Sequence, residues 1–406
     1  MTSTAPLPPL LESARRLQPE LVALRHAVHQ DPEIGLELPR TQAKVVAALD
    51  GLPLEITLGK QLGSVTAVLR GGAGPGPTVL LRGDMDALPV QETSGLPFAS
   101  TVPGVMHACG HDLHVAGLVG AVRLLCERRE QIAGDVVFMF QPGEEGQGGA
   151  KVMMDEGLLT ASGSTPVAAY ALHVSSAMSQ GQVLGRPGTI MAAADTLTVT
   201  MRGRGGHGSA PSAALDPVPA ACEAVLALQT MVTRRFSVFD PVVLTTGLLR
   251  AGTINNVIPD DAFFETTVRS FSLEARERVR EEALRVVRGV AETHGLEVDA
   301  VYNDLYPVTV NDGGEAAFVQ ETAKDLLGAD RWTTMDQPLA GAEDFSYVAE
   351  QIPSGYFFLG ACVDGLDPET APYNHSPEAA FADSVLADGA ALLAELALRR
   401  LSRGAL

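Results

Sequence analysis

Residues Asp135–Gly146 read D-V-V-F-M-F-Q-P-G-E-E-G. The run from Val136 to Phe140 is apolar without alternation, which suits a β-strand buried on both faces. Such strands belong to parallel sheets covered by helices, so this stretch selects an α/β fold. The run stops at Gln141-Pro142-Gly143, and a glutamate pair, Glu144 and Glu145, follows at once. Upstream, T-V-L-L-R (Thr78–Arg82) runs into Gly83-Asp84-Met85-Asp86, and downstream Ala168–Leu172 ends at His173. Ligands of open α/β sheets gather beyond the carboxyl ends of the strands. Three strands therefore deliver Asp84/Asp86, Glu144/Glu145 and His173 to one edge, where a common site is expected.

Met106–His114 reads M-H-A-C-G-H-D-L-H. Cysteine and histidine at this density suit a transition metal such as zinc. Val115–Arg129 has helical spacing at Leu118, Val122 and Leu125, with Asp112 expected as its N-cap. Cys109 and His111 then sit just before a helix N-terminus, which favours the thiolate that binds metal. His107 and His114 are not taken as ligands. Cys109, His111, His173 and His375 (in Y-N-H-S-P, Tyr373–Pro377), with one of Glu144 and Glu145, make five ligands. Five exceed one tetrahedral site. They suit two metals about 3.5–4 Å apart with one bridging ligand, and leave the other glutamate as general base.

Leu10–Gln30 is expected as an amphipathic helix through Leu17, Leu21, Leu24 and Val28, with His26 and His29 as surface or C-terminal residues. A second helix is expected around Pro39–Leu49. Gly71–Pro77 reads as a hairpin-like loop between Thr66–Arg70 and Thr78–Arg82. It lacks a Gly-Lys-Ser/Thr ending and is no phosphate loop. Gly185–Ala194 reads as a hinge. Beyond it the pattern becomes β-α-β-β-α-β, the ferredoxin-like unit: a strand at Thr196–Met201, a helix near Pro217–Val232, strands near Val242–Leu249 and Ala262–Ser270, a helix near Glu274–His294 and a strand near Leu296–Tyr302. A second domain at 192–303 is expected, splitting the first into 1–191 and 304–406. Gly203–Gly208 spells G-x-G-x-x-G, but Pro211 and Pro217 fall where a dinucleotide-binding helix would open, so the loop is read as presenting His207. The first domain resumes with a helix near Gly314–Leu327, a buried strand at Gly355–Cys362 and a helix from Asp383 to Leu401.

The chain has 406 residues and a formal net charge of -20, from 49 acidic and 29 basic residues. That balance disfavours nucleic acid and anionic membranes, which need a basic footprint. Four cysteines far apart without C-x-x-C suit a reduced, cytoplasmic setting. The opening M-T-S-T-A-P-L-P-P-L-L-E-S lacks the basic and apolar regions of a signal peptide. No apolar run reaches the ~18–20 residues of a membrane span.

Five motifs together resemble the metal-dependent aminoacylase/carboxypeptidase G superfamily: R-G-D-M-D-A-L-P (Arg82–Pro89), M-H-A-C-G-H-D (Met106–Asp112), F-Q-P-G-E-E-G (Phe140–Gly146), G-G-H-G-S-A-P (Gly205–Pro211) and N-V-I-P-D (Asn256–Asp260). Within it the chain is similar to the amidohydrolase branch that includes hippurate hydrolase, the indole-acetyl-amino-acid hydrolases and N-acetyl-diaminopimelate deacetylase. The resemblance covers about Leu21 to Leu401. It implies an α/β metallo-exopeptidase-type catalytic domain with an inserted ferredoxin-like α+β lid that forms a homodimer. It also implies that Cys109 bridges two divalent ions (zinc, manganese, nickel or cobalt), with His111 and His173 on one and Glu145 and His375 on the other. Asp86 would steady a ligand histidine. Other branches have His where Asp84 stands and Asp where Cys109 stands. The implied reaction is hydrolysis of an N-acyl amino acid, with Glu144 as general base and then acid. His207, reaching into the partner's site, would polarise the scissile carbonyl. Asn256 and Arg269 are candidates for holding the product carboxylate. A dipeptidase or carboxypeptidase with the same metal site is the alternative.

Overall fold

The computed structural model describes residues 8–403. The first seven residues, which open the stretch weighed for a signal peptide, lie outside them. The chain divides into two compact units. One comprises residues through Gly188, Val310–Asp336 and from Tyr347 onward; the other comprises Thr189–Thr309 and Gln337–Ser346.

The first unit is built on an eight-stranded mixed sheet. Its strands are β1 (Leu54–Leu58), β2 (Val65–Arg70), β3 (Thr78–Asp84), β4 (Asp135–Gln141), β5 (Ala168–Ser175) and β6 (Val183–Gly185), with Trp332–Thr334 and Ser354–Gly360. The order is β1-β2-β4-β3-β5, then Ser354–Gly360, β6 and Trp332–Thr334. At its centre β4, β3, β5 and Ser354–Gly360 run parallel. The apolar runs in β3, β4, β5 and Ser354–Gly360 are buried almost throughout, as strands covered on both faces must be.

The hairpin expected around Gly71–Pro77 does not form. β2 pairs antiparallel with β4, and β3 lies on the far side of β4. β4 takes the place between them, so the two strands adjacent in sequence are not neighbours in the sheet. β1 was not anticipated; four of its five residues are exposed, so it carries little apolar pattern.

Helix α1 (Leu10–His29), α3 (His111–Glu127) and the Leu386–Ser402 helix pack together, with α2 (Pro39–Leu49) beside α3. At Gly120 in α3 an added Cβ would come within 2.7 Å of Ala390 Cβ and 2.9 Å of Leu21 Cδ1, so glycine permits this close packing. α3 is buried along almost its whole length, as its apolar composition on every face requires.

The second unit has a four-stranded antiparallel sheet in the order Val242–Ala251, Asp261–Ser270, Ala193–Arg202, Glu297–Tyr306. Two helices, Pro217–Arg235 and Leu273–Thr293, complete the expected β-α-β-β-α-β succession. Its own core includes Leu197, Val199, Leu228, Phe264, Val279 and Val287. The expected hinge at Gly185–Ala194 holds a short strand, Gly188–Met191, and the start of the Ala193–Arg202 strand.

Candidate metal centre

β3 and β4 end in register, Asp84 opposite Gln141, and β5 runs parallel beside β3. The groups that follow these strands therefore meet at one edge. Gly110, at φ 84, sits at the N-cap of α3 and turns Cys109 back toward that edge. A Cβ at Gly110 would lie 2.5 Å from Val174 Cγ2, so position 110 requires glycine on both counts. The helix begins at His111, which corrects the expected N-cap at Asp112.

The Cys109 sulfur stands between two imidazoles, 3.5 Å from His173 Nε2 and 3.3 Å from His375 Nε2. His375 Nε2 is also 3.2 Å from Glu145 Oε1. Two potential metal-holding groups result, Cys109–His111–His173 and Cys109–Glu145–His375, and they share the thiol. Glu144 joins His111 and Glu145 in a further group.

The rings are oriented from behind. His173 Nδ1 lies 2.7 Å from the Val174 carbonyl and His111 Nδ1 2.8 Å from the Asp86 carbonyl. A carbonyl only accepts, so each Nδ1 carries a proton and each Nε2 is the nitrogen left to face the thiol. Asp86 thus reaches a histidine through its backbone. Its carboxylate accepts from the N–H groups of Glu144 and Glu145, each at 3.0 Å.

Burial opposes ionisation of Cys109, but His173 and His111 hold its thiol well below the ordinary range. Burial opposes protonation of His111 as well, yet Asp84 and Cys109 raise its pKa well above the usual imidazole value. Hydrogen bonds to Cys109 and Glu145 push His375 up to about 10. Burial, then the Cys109 charge, raises Glu145.

Asp84 is fully buried. Arg82 Nη1 lies 2.7 Å from Oδ2, and His114 Nδ1 donates to Oδ1. His114 Nε2 accepts from the Val174 N–H at 2.8 Å. Asp84 and His114 therefore connect the ends of β3 and β5 through α3.

His29, expected at the surface, is fully buried. Its Nδ1 is 2.8 Å from Asp112 Oδ2 and its Nε2 3.2 Å from Glu92 Oε1. Arg25 Nε donates to the same Asp112 oxygen at 2.6 Å. The packing of α1 on α3 turns Arg25 and His29, one helical turn apart, onto Asp112. His26 is half-buried and stacks on Phe98, with ring centroids 3.6 Å apart. His107 is fully buried, and burial pushes its pKa down to about 3.

In the second unit, Gly206–His207 forms a two-residue strand against Val257–Ile258. The Asn256 carbonyl accepts from Gly208 N–H at 2.8 Å, which brings Asn256 beside His207. The N–H of Ser209 donates to His207 Nδ1 at 3.2 Å, so a neutral His207 carries its proton on Nε2. Asp260 anchors the glycine-rich loop through the N–H groups of Gly203 and Gly205. Arg269 is elsewhere. It lies at the opposite end of the Asp261–Ser270 strand, about 26 Å along it at 3.3 Å per residue.

The model of peptidase family M20/M25/M40 matches residues 80–399. The chain belongs to this family. Among its relatives are thermostable carboxypeptidase 2 of Saccharolobus solfataricus (34% identical, covering 96% of this chain and 98% of that protein) and hippurate hydrolase of Campylobacter jejuni (35%, 95% and 97%). The crystal structure of Bacillus subtilis YXEP, described as a dinuclear metal binding peptidase of the M20 family, superposes with a TM-score of 0.80 at 30% identity, covering 96% of this chain and 99% of that one.

The chain is thus an M20-family hydrolase acting on amides. Its residues fit a pair of divalent ions. His111 Nε2 is buried without a hydrogen bond among the described residues. One thiolate, three imidazoles and a carboxylate form a donor set for borderline transition metals. Among the described residues no helix is long and apolar enough to cross a membrane.

Two features of this M20-family site escaped sequence reading. The Arg25–His29–Asp112 cluster joins residues far apart in the chain, and no local pattern marks it. Asn374, which bonds to Cys109 and Val174, carried only its adjacency to His375 as a signal.

Proposed function

We propose that the protein hydrolyses the amide bond of N-acyl amino acids, releasing a carboxylic acid and an amino acid. The observation that carries this is the sharing of one thiolate, Cys109, by two ligand groups, with Glu144 beside both. In this reading Cys109, His111 and His173 would hold one divalent ion, and Cys109, Glu145 and His375 the other. When bound, such ions supply Lewis acidity toward a carbonyl and lower the pKa of water toward ~7. Glu144 accepts a proton from the attacking water and returns it to the leaving nitrogen. Its backbone, fastened to Asp86, fixes where that proton is held. His207 donates from Nε2 to the developing oxyanion. The hippurate hydrolase relative favours an acyl group on the amino acid.

We also infer a homodimer through the second unit. Val243, Leu248 and Leu249 are exposed on the edge strand Val242–Ala251, where an uncovered apolar edge invites pairing with a second copy. The separation of Arg269 from His207 and Asn256 supports the same reading. One second unit cannot offer both ends of a strand to a substrate of amino-acid size, whereas two chains can.

The test is amine release from N-acetyl, N-benzoyl and N-indoleacetyl amino acids and from simple dipeptides, with metal-stripped protein resupplied with zinc, manganese, nickel or cobalt. Metal-dependent cleavage of acyl amino acids over dipeptides is expected. Preference for dipeptides would move the chain to a peptidase reading, which the 34%-identical thermostable carboxypeptidases favour. No cleavage with any metal, in protein holding two ions per chain, would overturn both.

A further inference from the structure

The carboxamide of Asn374 touches two segments that carry proposed ligands, and Asn374 itself precedes a third ligand, His375. Its Nδ2 is 3.2 Å from the Cys109 carbonyl, 3.8 Å from Cys109 Sγ and 3.1 Å from the Val174 carbonyl. Its Oδ1 accepts from the Ser176 N–H at 3.0 Å. These partners fix the amide orientation, since carbonyl oxygens only accept and a backbone N–H only donates. The Ser176 hydroxyl lies 2.8 Å from the Pro372 carbonyl and so fastens the loop that carries Asn374.

The Val174 carbonyl held by Asn374 also accepts from His173 Nδ1, at 2.7 Å. The same amide therefore bears on the orientation of the His173 ring and on the position of the Cys109 sulfur. The next residue, His375, has φ 74, the one positive value at a non-glycine among the described residues. Its N–H donates to the Ala108 carbonyl at 2.8 Å. The Pro372–Ser376 segment is thus tied on both sides of the left-handed turn to the segments bearing Cys109 and His173.

We propose that Asn374 is a positioning residue for the metal pair. It joins the Cys109 turn, the end of β5 and the His375 loop into one frame and donates an N–H to the bridging thiolate. The frame holds the sulfur between His173 and His375. Aspartate cannot replace it, because a carboxylate would set an acceptor against two carbonyls and a thiolate. Alanine would remove the side-chain tie and leave the segments joined only by the Ser176–Pro372 and His375–Ala108 bonds. This rests on the ligand assignment proposed above.

The test uses full-length protein loaded with cobalt. Affinity is measured by chelator competition, and the thiolate-to-cobalt charge-transfer absorption is recorded in the near ultraviolet. Asn374→Ala and Asn374→Asp are each expected to lose about 10–100-fold in cobalt affinity, the usual cost of removing a group that orients a ligand, and to shift the absorption band. Two variants keep the test open if one folds poorly. Cys109→Ser, measured alongside, is expected to lose the band. If Cys109→Ser loses it while both Asn374 variants keep wild-type affinity and spectrum, the positioning role is overturned and the ligand assignment stands. If Cys109→Ser keeps the band, the thiolate is no ligand, and the ligand assignment and the role of Asn374 fall together.

Discussion

The carboxylate of Asp86 fastens the backbone of Glu144: Oδ1 accepts the Glu144 N–H while Oδ2 accepts that of Glu145, both at 3.0 Å. An anion with two acceptors is the group such a pair of donors requires. Asparagine offers one acceptor and would set its NH2 against the other N–H. Asp86→Asn is therefore expected to retain the fold and lower kcat by about 10–100-fold, comparable with other losses of an orienting group. Turnover at saturating metal is the measurement, and a wild-type kcat would remove Asp86 from the mechanism.

Glu144→Gln keeps the shape of the site and abolishes its base. Metal content should be unchanged, and turnover should fall by more than about a hundredfold, as expected for loss of acid–base catalysis. Elemental analysis and amine release on the same sample separate the two effects. Near-normal turnover would sink the base assignment.

Metal uptake should release protons. His375, held at about 10 by Cys109 and Glu145, is protonated at neutral pH without metal, and a ligand must surrender that proton. Protons and metal thus compete below about pH 10, and affinity should weaken as pH falls from 9 to 6. Calorimetry in buffers of different ionisation enthalpy counts the released protons. A heat independent of buffer would contradict the assignment.

The pairing of His29 with Asp112 makes stability depend on pH. Burial alone would lower the His29 pKa; Asp112 and Glu92 overcome it and raise the value to about 9. A raised folded-state pKa stabilises fully below the unfolded value near 6.5 and is lost as pH climbs through 9. The contribution is on the order of 3 kcal/mol at the acidic end of that window. Urea unfolding at pH 6 and 9.5 should show the decline, and His29→Gln should flatten it. A wild-type slope in that variant would place the dependence elsewhere.

If His207 serves the partner's site, a mixed dimer of His207→Ala and Glu144→Gln chains should regain activity that neither homodimer has. One of the two sites would then combine an intact Glu144 with an intact His207. No regain in verified heterodimers would mean a site complete within one chain.

Much of the centre could be read from local pattern. Val136–Phe140 identifies a strand buried on both faces, and Glu144 follows three residues after its end at Gln141. Cys109 and His111 lie together in sequence and stay together in space. What failed was non-local. Neighbouring strands in the sequence, β2 and β3, are separated in the sheet by β4, because sheet order depends on packing that no single segment encodes. His29 resembled a surface residue at a helix end, and only the arrival of Asp112 from α3 makes its burial tolerable. Asn374 is one polar residue in a loop, and its partners come from two distant segments.

Ser354–Gly360 pairs in parallel with β5, and the whole second unit is synthesised between them. A chain emerging from the ribosome therefore presents Cys109, His111, Glu145 and His173 long before His375. Parallel pairing across so long an interval is slow to form. Until the segment bearing His375 arrives, the nascent chain holds four of the five proposed ligands, and the Cys109–Glu145–His375 group is the one left incomplete.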